Sequence, residues 1–287
     1  MTRSHVLMVR PDHFSVNPET AATNVFQRPV VGDIAELACA EFDNAVAMLS
    51  EAGVEVTVLP GLPDAPDAVF PNNWISFHED FVVVYPMLNA SRRRERRVGA
   101  LASLIGNRRI IDLTQFEADG QALEGTGSLV LDQKNNLAYA CLGPRTHPAP
   151  LAEWSRQTGI KVIEFEAELD GKPVYHTNVI MAIGEDEALM WHGCGDDVRA
   201  GLASTGHRIV ELSDDEVRGF AGNAMELQGH ERAWWMSATA RAALTETLQQ
   251  PIYSPAIATI EASGGSLRCM MCEVISATNS SARQVLG

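Results

Sequence analysis

The chain has 287 residues and a formal net charge of −15. That length allows one large domain or two small ones, the acidic balance excludes a general nucleic-acid binder, and no run approaches the twenty or so apolar residues of a membrane span. Cys39, Cys141, Cys194, Cys269 and Cys272 are odd in number and irregularly spaced, so reduced thiols are expected, and the absence of a long apolar region after Met1 gives a cytoplasmic expectation.

Val6 to Val9 reads as a short strand, and Ala38 to Ala52 as a helix stopped by Gly53. Val54 to Leu59 is the next strand. Trp74 to Phe77 and Phe81 to Tyr85 form a hairpin, followed by a helix from Arg93 to Ile105 and a strand from Arg109 to Leu113. The pattern then repeats. Ser128 to Leu131 and Leu137 to Cys141 make a hairpin, Pro150 to Thr158 a helix and Lys161 to Phe165 a strand. Val179 to Ile183 with Ala188 to Trp191, helix Asp196 to Ser204 and strand Arg208 to Leu212 follow. Ser266 to Ile275 reads as a buried strand. The period of roughly 45–50 residues predicts a ring of similar units around a central cavity rather than a plain doubly wound sheet. Residues 1–275 are expected to form one catalytic domain, and residues 276–287 a polar, frayed tail.

Four blocks carry chemistry. In Gly264-Gly265-Ser266-Leu267-Arg268-Cys269, two glycines allow a tight turn beside a ligand and deliver a thiol. A nucleophile and a buried structural cysteine are both open readings of Cys269. Its spacing to Cys272 also fits a redox or zinc pair, but on a strand the two would face opposite ways, and no second metal-binding pair exists. His176 in Tyr175-His176-Thr177-Asn178 precedes a strand and is the candidate acid–base group, with His192 as rival. Glu124 lies in a glycine-rich turn that lacks the lysine and helix of a phosphate loop, so a carboxylate aimed into a cavity fits better, with a surface turn as the alternative. Asp64 to Trp74 sets polar residues around an apolar pair before a strand, which could equally be a self-bonded turn. The basic run Ser91 to Arg97 reads mostly as a solvated helix start. Asn17 to Arg28, largely polar, is a candidate lid.

In order and spacing, the four blocks resemble the amidinotransferase, or guanidine-modifying, superfamily, which includes arginine deiminases and dimethylarginine dimethylaminohydrolases; the likeness is strongest to its citrulline-utilisation hydrolase-type branch. The resemblance implies a five-bladed α/β propeller with an axial site. It implies Cys269 as nucleophile, His176 as general acid and base, and Glu124 as the carboxylate gripping a substrate nitrogen. Asp67 matches the upstream acid, with Asn72 and Asn73 beside it as substrate-binding residues. Arg92 and Arg145 match the pair that holds a substrate α-carboxylate, where planar forks suit bidentate binding.

Arginine deiminases carry aspartates where this chain has Asn73 and Asn178. A guanidinium only donates hydrogen bonds, whereas a ureido group also offers a carbonyl acceptor, which a carboxamide can satisfy. The expected reaction is therefore citrulline to ornithine, ammonia and carbon dioxide through a covalent cysteine intermediate, without metal or cofactor. Arginine deimination and dimethylarginine hydrolysis are the alternatives, with amidino transfer and a silent amino-acid-binding protein behind them. The expected partner is a small-molecule amino acid, not nucleic acid or a membrane, and a homodimer is the oligomer considered.

Overall fold

Turn-forming residues between short apolar runs fold the chain into one repeated pattern. In the computed structural model, which describes residues 2–21, 23–28, 32 and 34–276, the described strands form five three-stranded sheets and one small hairpin, Glu168–Leu169 with Lys172–Pro173. Four sheets take their strands in chain order: Ile75–Phe77, Phe81–Val84 and Arg109–Asp112; Leu129–Asp132, Leu137–Cys141 and Lys161–Phe165; Met181–Ile183, Glu187–Trp191 and Arg208–Leu212; Met225–Gln228, Arg232–Trp235 and Ile252–Tyr253. In each, the first two strands pair antiparallel and the last two parallel. The fifth sheet joins the two ends of the chain. Cys272–Glu273 pairs antiparallel with His5–Val9, which pairs in parallel with Glu55–Leu59.

A parallel partner cannot follow through a tight turn, so a helical crossover precedes every third strand. Ala35–Glu51 is the longest, burying Ala38, Phe42, Ala45 and Leu49 at helical spacing against Val6 and Met8 of the fifth sheet. Full burial of Phe42 or Leu49 contributes about 1.5–3 kcal/mol each. The helix ends as the sequence predicts, with Gly53 at φ 86°. The other crossovers are Pro148–Thr158, Asp196–Ser204, Ala238–Ala243 and a broken one described next.

Three expectations need correction. The single helix from Arg93 to Ile105 is instead Ala90–Arg93, a 3₁₀ turn Val98–Leu101 and Ala102–Ile105. The break follows from Arg92 and Glu95, which are both buried and paired with each other rather than solvated. Ser266 to Ile275 is not one strand: Leu267–Met270 forms a helical turn, and only Cys272–Glu273 is extended. Residues 213 to 265 hold a full unit to which the sequence reading assigned no element.

The chain is thus α/β, and among the described residues no helix is long and apolar enough to cross a membrane. Residues 277–287 of the expected tail lie outside the described residues.

Candidate active site

The candidate residues occupy corresponding places in successive units. The 3₁₀ turn Pro71–Asn73 leads into the strand Ile75–Phe77. Glu124 caps the helical turn Gly125–Ser128 before Leu129–Asp132, and His176 caps the 3₁₀ turn Thr177–Val179 before Met181–Ile183. Cys269 lies in the turn Leu267–Met270 before Cys272–Glu273. A helical turn reverses side-chain direction within a few residues. The sheets therefore supply a rigid frame, and the turns bring polar groups from separate units together.

A cavity of about 20 Å³ is lined by Asp67, Asn73, Arg92, Arg145, His176 and Cys269, among others. Glu124 lies behind His176 and is wholly buried, its Oε2 2.8 Å from His176 Nε2. Burial alone would raise the Glu124 carboxyl, but Arg145, the His176 hydrogen bond and Arg92 hold it down at about 2. Burial lowers His176 to about 4 against the pull of Glu124. The resting pair is therefore a neutral imidazole whose Nε2–H donates to a carboxylate. Burial also raises the Asp67 carboxyl, opposed by Arg92 and by Asn17 Nδ2, which donates to Asp67 Oδ2 at 2.8 Å.

Arg92 and Arg145 are both buried. The Arg92 fork faces Glu95 at 2.9 Å through Nε and Nη2, while Nη1 donates to Asn73 Oδ1 at 2.8 Å. A guanidinium only donates, so this bond fixes the Asn73 carboxamide with its nitrogen directed away. Arg145 donates from Nη1 to Glu124 Oε2 at 3.5 Å and from Nη2 to Thr23 Oγ1 at 2.8 Å, and its guanidinium lies over the Tyr175 ring at 5.0 Å. Tyr175 in turn donates to the backbone carbonyl of Gly264, beside the cysteine turn.

The sulfur of Cys269 is 3.7 Å from Asn178 Oδ1 and receives a hydrogen bond from Asn223 Nδ2 at 3.3 Å. Nδ2 of both Asn73 and Asn178 is buried with no hydrogen-bond partner among the described residues. Asn178 lines a second cavity rather than this one, and Asn72 lines neither. Its side chain is wholly buried outside the cavity lining, and its backbone carbonyl accepts from Thr126 Oγ1 at 3.4 Å. His192 is exposed and bonds Asp214 at 2.9 Å, away from the cavity. Cys272 points elsewhere too: its Sγ donates to Ile75 O at 3.3 Å, and burial pushes its thiol up to about 12. The sequence reading missed Asn223 and Glu95, and treated most of the Arg92 to Arg97 cluster as solvated.

The candidate lid crosses this cavity. Thr20 and Asn24 line it, Asn17 and Thr23 bond Asp67 and Arg145, and Asn24 Nδ2 donates to Gly264 O at 3.1 Å. A space of about 20 Å³ is room for about one water, less than an amino acid needs. A larger cavity, about 560 Å³, lies elsewhere; it is lined by Asp132, Asn178, Met181, Glu226 and Arg268 among others and includes neither Cys269 nor His176.

Gly127 sets how closely these groups approach. A Cβ there would lie 2.5 Å from Asn73 Nδ2 and 2.8 Å from His176 Cε1 and Nδ1. Gly127→Ala should push the imidazole from its place. Displacement by about 1 Å costs on the order of 10²-fold in rate. Steady-state kinetics beside a melting curve will check this: turnover falls by that order while the protein stays folded at the assay temperature.

Comparison with known proteins adds to this geometry. A family model described as "N,N dimethylarginine dimethylhydrolase, eukaryotic" matches residues 10–276. No curated protein matches the chain significantly. Among solved structures, it is similar to the product-bound N-terminal domain of ArgZ, an arginine dihydrolase from the ornithine-ammonia cycle in cyanobacteria. Identity is 16% and the TM-score 0.78, over 96% of this chain and 99% of that one. The complex of AgrE with ornithine and NAD+ gives 18% identity and a TM-score of 0.77, over 98% of this chain but only 41% of AgrE. A dimethylarginine dimethylaminohydrolase adduct with 4-chloro-2-hydroxymethylpyridine gives 15% and 0.69, over 95% and 100%.

Proposed function

The chain belongs to the eukaryotic N,N dimethylarginine dimethylhydrolase family and is a hydrolase of carbon–nitrogen bonds, and we propose that its substrate is free citrulline, cleaved to ornithine, ammonia and carbon dioxide. The observation that carries this reading is the unpartnered carboxamide nitrogen Asn73 Nδ2, on a residue that lines the cavity together with Cys269. A buried N–H without an acceptor costs about 1–3 kcal/mol. A ureido carbonyl supplies that acceptor, whereas a guanidinium has only donors.

In this mechanism the Cys269 thiol passes its proton to His176, and the thiolate attacks the ureido carbon. The imidazolium, steadied by Glu124, protonates the departing ornithine nitrogen as the carbon–nitrogen bond breaks. The S-carbamoyl cysteine that remains is hydrolysed by a water that His176 deprotonates. Carbamate leaves and decomposes to ammonia and carbon dioxide, and the thiol is restored. Asp67 grips a donor of the ureido group. Arg145, reached when Thr20 and Thr23 withdraw, takes the α-carboxylate, with Arg92 adding charge from Nη1. The five repeated units are read as the blades of a five-bladed propeller formed by residues 1–275, with the site on its axis.

A second reading, hydrolysis of arginine, draws on the local charge. Asp67, Glu95 and Glu124 face two guanidiniums, Arg92 and Arg145, so ionisation of all three carboxylates leaves one negative charge for a cation to offset. Incubation with citrulline, arginine and N,N-dimethylarginine, with all products quantified, separates the readings. Citrulline is expected to give ornithine at a specificity at least about a hundredfold above that for arginine. Turnover of arginine or dimethylarginine without turnover of citrulline would sink the first reading.

A further inference from the structure

Building on the nucleophilic role of Cys269, we infer that Asn223 is a further catalytic residue: its side-chain amide donates to the sulfur and favours the attacking thiolate. Asn223 lies on the loop before Met225–Gln228, the first strand of the unit that the motif reading left without a functional residue. Asn73, Glu124, His176 and Cys269 stand within a few residues of the corresponding first strand in the other units. Asn223 is therefore the fourth unit's contribution to the same centre.

The direction of its amide is fixed by the backbone. Asn223 Oδ1 accepts from the N–H of Arg268 at 3.0 Å, and Nδ2 donates to the carbonyl of Asn178 at 2.8 Å. A backbone N–H can only donate and a carbonyl can only accept, so a flipped amide would break both bonds. The second hydrogen on Nδ2 is left for Cys269 Sγ at 3.3 Å. Asn223 thereby ties the residue before the nucleophile to the residue two after His176.

The loop is built to hold that aim. Phe220 adopts φ 66°, a left-handed conformation costly for a bulky side chain, and its ring packs on Phe26 with centroids 4.9 Å apart. A Cβ on Gly222 would lie 2.6 Å from the carbonyl of Val179, so only glycine lets the loop lie this close to the segment after His176. The amide of Ala221 bonds Glu216 O and that of Asn223 bonds Phe220 O. Asn223 itself is wholly buried.

The two carboxamides at the sulfur act in opposite senses. Asn178 Oδ1, an acceptor at 3.7 Å, favours the protonated thiol. Asn223 Nδ2, a donor, favours the anion, because a hydrogen bond to the charged form stabilises it. Asn223 gives up no proton; as the thiol proton moves to His176, its contact becomes charge-assisted and strengthens.

The test is the rate of Cys269 alkylation by iodoacetamide against pH, read by peptide mapping on the full chain, with Cys269→Ser as background. N223D, read beside the uncharged N223A, keeps the shape and the acceptor for Arg268 but replaces the donor with a carboxylate whose charge also opposes the thiolate. Its midpoint should rise by about one pH unit or more, a tenfold loss of thiolate at neutral pH, and kcat should fall by about tenfold or more. N223A should show a rise in the same direction. If N223D loses its fold, N223A and the milder N223S carry the same readout. Alkylation curves that superimpose on the parent's in folded variants overturn the inference. The assay needs no substrate, so it stands apart from the function reading, which fails instead if Cys269→Ala retains turnover.

Discussion

Replacing Cys269 by alanine is expected to lower kcat by about 10⁴-fold or more for every substrate the chain turns over, as removal of a covalent nucleophile does elsewhere. Cys269 lines the same cavity as Tyr175, His176 and Arg145, where an attacking atom can meet a ligand held by those side chains. Among the other described cysteines, Cys39, Cys141, Cys194 and Cys272 all have thiols pushed up by burial, and none lines this cavity, so none can substitute. The fold should tolerate the change. Alanine deletes one small buried group and leaves Asn223 Nδ2 its bond to Asn178 O, a loss of about 1–2 kcal/mol. Kinetics on a variant with an unchanged circular-dichroism spectrum tests both halves, and mass spectrometry of a quenched parent reaction should find one carbamoyl group on Cys269. Turnover within tenfold of the parent would leave the sulfur without its role.

How much of this was legible in the sequence depended on whether the signal was local. Hairpin turns and glycine-stopped helices located four of the five units. The Ser266 to Ile275 run misled because a short apolar stretch does not distinguish a buried strand from a helical turn followed by one. The difference matters, since the turn lets Cys269 face the cavity while Cys272 bonds Ile75. The missed unit did carry a signal: Ser213 and Glu216 form a capping box at the start of Asp214–Arg218. Its strands are only two to four residues long and gave too little alternation to register. The basic run by itself did not mark Arg92, which only the resemblance singled out, because such a run looks the same whether solvated or buried. Its partner Glu95, three residues on, was the available clue. Asn223 had no motif to mark it. Only its place in the repeat singles it out, and that requires the fourth unit to be seen first.

Glu124→Gln should both slow catalysis and change how acid unfolds the protein. The carboxylate accepts from Leu88 N at 3.1 Å, His176 at 2.8 Å and Arg145 at 3.5 Å, and Arg92 Nη1 lies 3.7 Å away. Removing its charge leaves two buried guanidiniums less compensated, a change that typically costs about 3–5 kcal/mol. It also removes the anion that steadies the imidazolium, so kcat should fall by about 10²-fold or more. The acid dependence follows from the two displaced equilibria. His176 titrates near 4 in the folded chain against 6.5 when unfolded, so unfolding takes up a proton between those values and stability declines as pH falls through that window. Glu124 titrates near 2 against 4.5, so its contribution is present above 4.5 and is lost as pH falls toward 2. Melting temperatures of the parent should therefore decline from about pH 6.5 downward without a plateau. Glu124→Gln keeps the upper decline, because its imidazole is still buried, but lacks the component below pH 4.5. A variant whose melting curve tracks the parent's over both windows, with activity intact, would show that the carboxylate and imidazole do not act as a pair.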